Sequence, residues 1–339
     1  MHLGEPDRVP VSPHGLGRLD PDGEVAHELI KKADVILPTG LGPNPFLGSR
    51  AQISTTKSQG EQTTVLHTPR GDLTERYKWT SVTGCVVEFF CKGIEDAERL
   101  LSIPFEPAEP DLSEFTRWKA RLGQEGLVIG SLFNAICFPA MILSPEDMCL
   151  VWAEERDFFL HLIETGAQRI NDFAERACRK GAEGFRIIGG EYATEQLGPT
   201  AFKLAVKRLD KQLVEILHDH RASVYYHNHG RVNGYLEDLA DIGMDALDPL
   251  EMPPYGDVVL ADAKRRIGDS VCLVGPLDDM EVLETRDEAY CRDLALECLR
   301  AAGRNGYILG GTASGTYTER GARNFIALVD AAQEHALCG

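Results

Sequence analysis

From Ser144 onward the chain alternates between helix-length amphipathic segments and short apolar runs, and few folds accommodate that rhythm. Ser144 suits a helix cap, Pro145 the first helical position, and Glu146 and Asp147 the positive end of the dipole. Phe159, Leu162, Ile163, Ala167, Ile170, Phe173, Ala174 and Ala177 then recur at helical spacing, and Gly181 suits the stop. Five apolar runs follow: Phe185–Ile188, Ala222–Tyr226, Ala246–Leu247, Val271–Val274 and Tyr307–Leu309. Helical patterns over 200–218, 234–242, 258–267, 287–302 and 319–334 come after them in turn. The runs begin roughly 25–40 residues apart, the spacing that parallel βα units require.

The first half is less regular. Arg8–Ser12 and Leu127–Leu132 read as buried strands. Between them Thr63–Phe90 reads as antiparallel hairpins, with a turn at Pro69-Arg70-Gly71-Asp72. The proline-rich stretch Glu106–Asp111 reads as a turn, and no second core or low-complexity linker stands out. A single α/β domain over 1–339 is expected: a (β/α)8 TIM-type barrel, with a hairpin embellishment in 1–120 and regular βα repeats in 121–339. A doubly wound sheet is the alternative, because alternation alone does not prove closure.

Composition narrows the class. The chain has 339 residues, 43% hydrophobic and 26% charged, enough for a large core. Its 53 acidic against 35 basic residues give a net charge of −18, which repels nucleic acid. No apolar run approaches the ~20 residues that span a bilayer. The opening MHLGEPDRVP lacks the basic start and apolar core of a signal peptide. Nine scattered cysteines without a CxxC pair read as reduced thiols, with Cys291 and Cys298 as core packing. A cytoplasmic location is expected, with no membrane or nucleic-acid partner, as monomer or homodimer.

In parallel α/β folds chemistry sits at the C-terminal strand ends, so the residues following each run are the candidates. After Phe185–Ile188 comes Gly189-Gly190-Glu191. After Ala222–Tyr226 comes His227-Asn228-His229-Gly230. Asp248 and Glu251 follow Leu247, Asp278 and Asp279 follow Val274, and Gly310-Gly311-Thr312-Ala313-Ser314-Gly315 follows Leu309. Residues i and i+2 of a strand share a face, so His227 and His229 suit a divalent metal; they equally suit a hydrogen-bonded pair against Tyr225 and Tyr226. A metal needs a third ligand: Glu251 is the first candidate, Asp248 and Glu191 the alternatives, and Asp248 also suits a turn before Pro249. Glu191 can be a general base, an orienter of a histidine or a loop residue. The glycines of 310–315 allow backbone to approach a ligand, and this loop matches no phosphate-binding motif. His14 and Asn134 follow the two early strands. By position they are substrate-binding candidates with Asp278, Thr312 and Ser314, although a surface histidine is an ordinary alternative for His14.

These residues also carry a family likeness. The run YYHNHGRVNGYLEDLADIGMDALDPL, ending at Leu250, resembles the uroporphyrinogen decarboxylase superfamily, with its apolar strand, His-x-(Cys or His)-Gly, helix and Gly-x-Asp-Ala-Leu. GPLDDMEVLETRDE, GRNGYILGGTASG and GGEYATEQLGPTAF resemble later and middle loops of the same superfamily. The likeness covers residues 120–339 well and the N-terminal third loosely, and it implies a (β/α)8 barrel. True decarboxylases carry an N-terminal Arg-Gln-Ala-Gly-Arg motif that nothing in 1–34 matches. The zinc methyltransferases of the superfamily place a ligand His at the position of His227 and a Cys at that of His229. The related cobalamin-independent methionine synthases add a Glu about two dozen residues on, which lands on Glu251, and a late Cys, which lands near Thr312.

Both thiolate positions are therefore replaced, and the implied set of two histidines and one carboxylate is harder than a Cys-rich site. A harder site suits polarising an ether or hydroxyl oxygen. The resemblance thus implies a zinc-dependent methyltransferase that demethylates a small O-methyl donor. The acceptor is a corrinoid, carried on a corrinoid protein, or tetrahydrofolate. Glu191 is the catalytic candidate, and His227, His229 and Glu251 are the metal candidates. A metal-free decarboxylase or lyase of a small carboxylic acid is the alternative enzyme, and a non-catalytic barrel that binds a corrinoid or tetrapyrrole is the third reading.

Overall fold

The computed structural model describes residues 3–4, 6–80, 83–312 and 315–338. Twelve strands are present among them: β1 Val11–Ser12, β2 Val35–Thr39, β3 Gln52–Ser58, β4 Glu61–His67, β5 Leu73–Trp79, β6 Gly84–Glu88, β7 Gly126–Phe133, β8 Gly184–Ile188, β9 Ser223–His227, β10 Ala246–Asp248, β11 Cys272–Leu277 and β12 Tyr307–Gly311. Eight are parallel, in the spatial order β1, β12, β11, β10, β9, β8, β7, β2. A parallel bridge from His14 to Ile36 joins β1 to β2 and brings the ring nearly to closure. The doubly wound sheet is thereby excluded and the (β/α)8 barrel stands.

Seven of the eight barrel strands coincide with apolar runs expected from sequence. The eighth, β2, is interrupted by Pro38, which argues against an interior strand. The structure shows why Pro38 is tolerated. Ile36 turns its carbonyl toward β1, where it accepts from Gly15 N–H, so the amide that Pro38 lacks would point the same way. Pairing with β1 has ended there, and the Gly15 carbonyl accepts from the Tyr317 hydroxyl instead.

Between β2 and β7 the chain builds a four-stranded antiparallel sheet, β3-β4-β5-β6. The expected hairpins are present and start earlier, at Gln52. Strand β3 is exposed along its whole length and polar in sequence, so no apolar alternation announced it.

The helices follow the expected caps. Ser144 accepts from Asp147 N–H at the start of Pro145–Glu154. The long helix Arg156–Arg179 buries Phe159, Leu162, Ile163 and Ile170. Its end is closed by Ala182 N–H on the Ala177 carbonyl, with Gly181 at φ +104°. Asp287 caps Glu288–Ala302, where Cys291 and Cys298 are core residues. The described cysteines are all free thiols. No helix of the described residues is long and apolar enough to cross a membrane.

Strand alternation divides the core in two. Residues on one strand face, such as Phe185, Ile187, Val224, Tyr226, Leu273 and Leu309, pack outward against the helices. Ile36, Ile129, Tyr225, Ala246, Cys272, Val274 and Ile308 form a separate cluster that fills the barrel lumen. The side chains of His227 and Asp248 continue the lumen face two residues beyond Tyr225 and Ala246.

Candidate active site at the barrel mouth

The register of β9 against β10 sets Asp248 directly beside His227. His227 Nδ1 lies 2.6 Å from Asp248 Oδ2, and both side chains are buried. Burial pushes the Asp248 carboxyl up to about 7. Burial, and then the charge of Arg186, holds the His227 imidazole well below its usual range, so this ring is neutral at neutral pH.

His229 stands above it, the two rings 4.4 Å apart and nearly perpendicular. Its Nδ1 lies 3.1 Å from Glu251 Oε1, while Glu251 Oε2 accepts from Gly230 N–H at 2.6 Å. Burial pulls the His229 imidazole down, but the hydrogen bond and charge of Glu251 outweigh it and the net shift is upward. The expected trio of His227, His229 and Glu251 is thus brought together at the C-terminal mouth, with Asp248 as a fourth member.

Each imidazole commits Nδ1 to a carboxylate and leaves Nε2 for a ligand, which is how metal-binding histidines are oriented in many proteins. Two such nitrogens suit zinc. The third position is not preformed, because both Glu251 oxygens are already engaged. Among the described residues no three His, Cys, Asp or Glu side chains are grouped to hold a metal ion.

Glu191 lies at the same mouth. Its Oε2 is buried without a hydrogen-bond partner, and burial pushes its carboxyl upward. The two preceding glycines are required by close approach. A Cβ on Gly189 would fall 2.3 Å from Asn134 Oδ1, and one on Gly190 would fall 2.0 Å from Asn228 Oδ1. His14 is no surface histidine. It is 8% exposed, stacked 6.2 Å from the His227 ring and 6.4 Å from Tyr225, and its Nδ1 has no partner.

Other candidates fall elsewhere. Asn134 is fully buried and donates to Asp210 Oδ2 at 2.9 Å, where the outward-facing Tyr226 hydroxyl also donates. This is a polar knot between barrel and helices, and the structure places Asn134 in it and not beside the two imidazoles. The residue after β7 turns outward into that knot. Asp278 accepts from Met280 and Glu281 N–H as a helix cap, and it borders a small cleft of about 110 Å³ with Glu251, Tyr255 and Thr312. Thr312 is buried, and its N–H donates to Asp279 Oδ1. Ser314 lies outside the described residues.

Two features escaped the sequence reading. Arg186 projects into the lumen from the middle of an otherwise apolar strand, and that lone charge in Phe185–Ile188 was its signal. Asp210 is a buried acid among Leu209, Leu213 and Val214 of a helix, a pattern that signals a satisfied internal carboxyl.

Comparison with known proteins agrees with this architecture. No curated protein matches the sequence. Among solved structures, a methyltransferase from Methanosarcina mazei superposes with TM-score 0.65 at 16% identity, covering 97% of this chain and 95% of that one. A B12-independent methionine synthase from a Shewanella species gives TM-score 0.47 at 11% identity, over 85% and 75% of the two chains. A xylose isomerase domain protein from Planctomyces limnophilus gives 0.45 at 14%, over 98% and 99%. The family description for uroporphyrinogen decarboxylase (URO-D) matches residues 79–335, most of the barrel, and the chain belongs to that family.

Proposed function

We propose that this protein is a methyltransferase that takes a methyl group from a small O-methyl compound and passes it to a corrinoid, on a partner protein, or to tetrahydrofolate. The observation that carries the reading is the pair of carboxylate-backed imidazoles, His227 with Asp248 and His229 with Glu251, side by side at the barrel mouth. The fold likeness to the Methanosarcina methyltransferase supports the same direction. Zinc is the metal that suits the two imidazoles: His227 and His229 would hold it, with Glu251 the carboxylate available beside them. It would supply Lewis acidity toward the ether oxygen.

The chain's own groups supply the rest. His227 stays neutral and keeps the Nε2 lone pair available, because its site is buried and faces Arg186. Asp248 fixes the ring orientation. As the C–O bond to the methyl breaks, the oxygen left behind needs a proton. Glu191, at the same mouth with Oε2 buried and unpartnered, is the group placed to give that proton, and burial shifts its carboxyl in the direction that favours the acid form. The donor leaves as an alcohol or phenol and the methyl resides on the acceptor.

The test is a methyl-transfer assay with reduced corrinoid and with tetrahydrofolate, over a panel of methyl ethers, alongside metal analysis of protein purified without added metal. Transfer that chelation abolishes and zinc restores is expected. Metal below about a tenth of an equivalent, with transfer unaffected by chelation, removes zinc from the scheme. Release of carbon dioxide from small acids with no methyl transfer turns the assignment to a decarboxylase.

A further inference from the structure

Arg186 is the charge inside the barrel that the scheme above leaves unused. Strand register places it beside Ser131 on β7 and Tyr225 on β9, on the lumen face. The apolar side chains that fill the lumen around and below it are Ile36, Ile129, Ala246, Cys272, Val274 and Ile308. Arg186 is half-buried, and its Nε is buried with no hydrogen-bond partner. Asp248 and Glu191 are close enough to act on it electrostatically, yet neither forms an ion pair with it: Asp248 Oδ2 is bonded to His227, while Asp248 Oδ1 and Glu191 Oε2 have no hydrogen-bond partner.

A guanidinium with no ion pair, set among apolar lumen side chains, is unfavourable, and barrel packing alone does not call for one. Its fork of donors matches a carboxylate in geometry as well as charge. His14, with Nδ1 unpartnered on the same lumen face, adds a neutral imidazole beside that position.

We infer that Arg186, with His14 beside it, receives the carboxylate of the substrate, so that the methyl donor is a methoxylated carboxylic acid. The methoxy part rests on the methyl-transfer reading, whereas the carboxylate part rests on Arg186 alone. Bound this way, the acid neutralises the buried charge at the floor of the site, and its remaining atoms extend toward His227, His229 and Glu191 at the mouth.

Calorimetric titration of the intact protein separates the two parts. 4-Methoxybenzoate and methoxyacetate are compared with the uncharged 4-methoxybenzyl alcohol and 2-methoxyethanol, and with benzoate and acetate as methyl-free anions. At least one acid should bind about tenfold or more tighter than its alcohol. That preference should vanish in Arg186→Met and return in part in Arg186→Lys, with thermal unfolding showing each variant folded. Equal affinity of acids and alcohols, or no binding by any of them, overturns the inference. So does a folded Arg186→Met or Arg186→Lys protein with the full preference. If the acids are preferred but no methyl reaches corrinoid or tetrahydrofolate, the carboxylate site stands and the methyl-transfer reading fails.

Discussion

His227 and Asp248 form a buried pair, Nδ1 to Oδ2 at 2.6 Å, that the register of two adjacent parallel strands brings together. Neither residue adjusts independently of the barrel, because each sits at the end of a strand whose outward neighbours pack in the core. The pair therefore presents Nε2 of His227 in a fixed direction.

Replacing His227 by Ala should abolish zinc binding and leave the fold standing, since the lumen and outer cores do not depend on this rim residue. Equilibrium dialysis with zinc, together with circular dichroism, checks both halves. Undiminished zinc binding by a folded His227→Ala protein would remove His227 from the ligand set.

Asp248→Asn tests the brace itself. An amide can accept from Nδ1–H but carries no charge, so the ring is held less firmly and is a poorer base. Loss of such a supporting carboxylate typically weakens a metal site about 10–100-fold, so a drop of that order is expected in competition with a chelator. An unchanged affinity would make Asp248 a packing residue.

The Gly189-Gly190 step makes a prediction of a different kind. Asn228 is pinned: its N–H donates to the Asp248 carbonyl at 2.7 Å, and its amide donates to the His229 carbonyl at 3.0 Å. The added carbon of Gly190→Ala would meet Asn228 Oδ1 at 2.0 Å and the Tyr226 hydroxyl at 3.0 Å, neither of which has room to yield. A loss of about 1–3 kcal/mol is expected in urea unfolding, with a larger loss of activity because Glu191 and Asn228 shift together. A variant as stable and active as the parent would contradict the packing described.

The barrel was legible in the sequence because parallel strands buried on both faces must be apolar and must be separated by helices. That rule identified seven strands and failed at β2, where Pro38 masks a strand whose pairing with β1 ends at Ile36. The His227, His229 and Glu251 grouping was legible from period two and strand adjacency. Asn134 faces away from the imidazole pair, because position after a strand does not tell which way a side chain turns. That choice is made by Asp210, 76 residues away in sequence. Arg186 is the converse case: one charge in an apolar run does not announce a role, although alternation places it inside the lumen.

Asp210 gives the pH prediction. Burial pushes its carboxyl up to about 7, outweighing the hydrogen bonds from Tyr226 and Asn134 that favour the ionised form. In the unfolded chain an aspartate titrates near 4, so between about pH 4 and 7 the folded state binds the extra proton. Stability from this group is full below the unfolded value and is lost as pH rises toward the folded one, after which no further loss occurs. The shift of about three units corresponds to a loss of up to about 4 kcal/mol, an upper bound for a fully buried group. Asp210→Asn mimics the protonated acid and can still accept from Tyr226 and Asn134. Its unfolding free energy should therefore match or exceed the parent's at pH 5, with the gap widening up to about pH 7 and then holding constant. Chemical denaturation at pH 5, 6, 7 and 8 measures this. Curves that run parallel over that range would show that Asp210 does not titrate there.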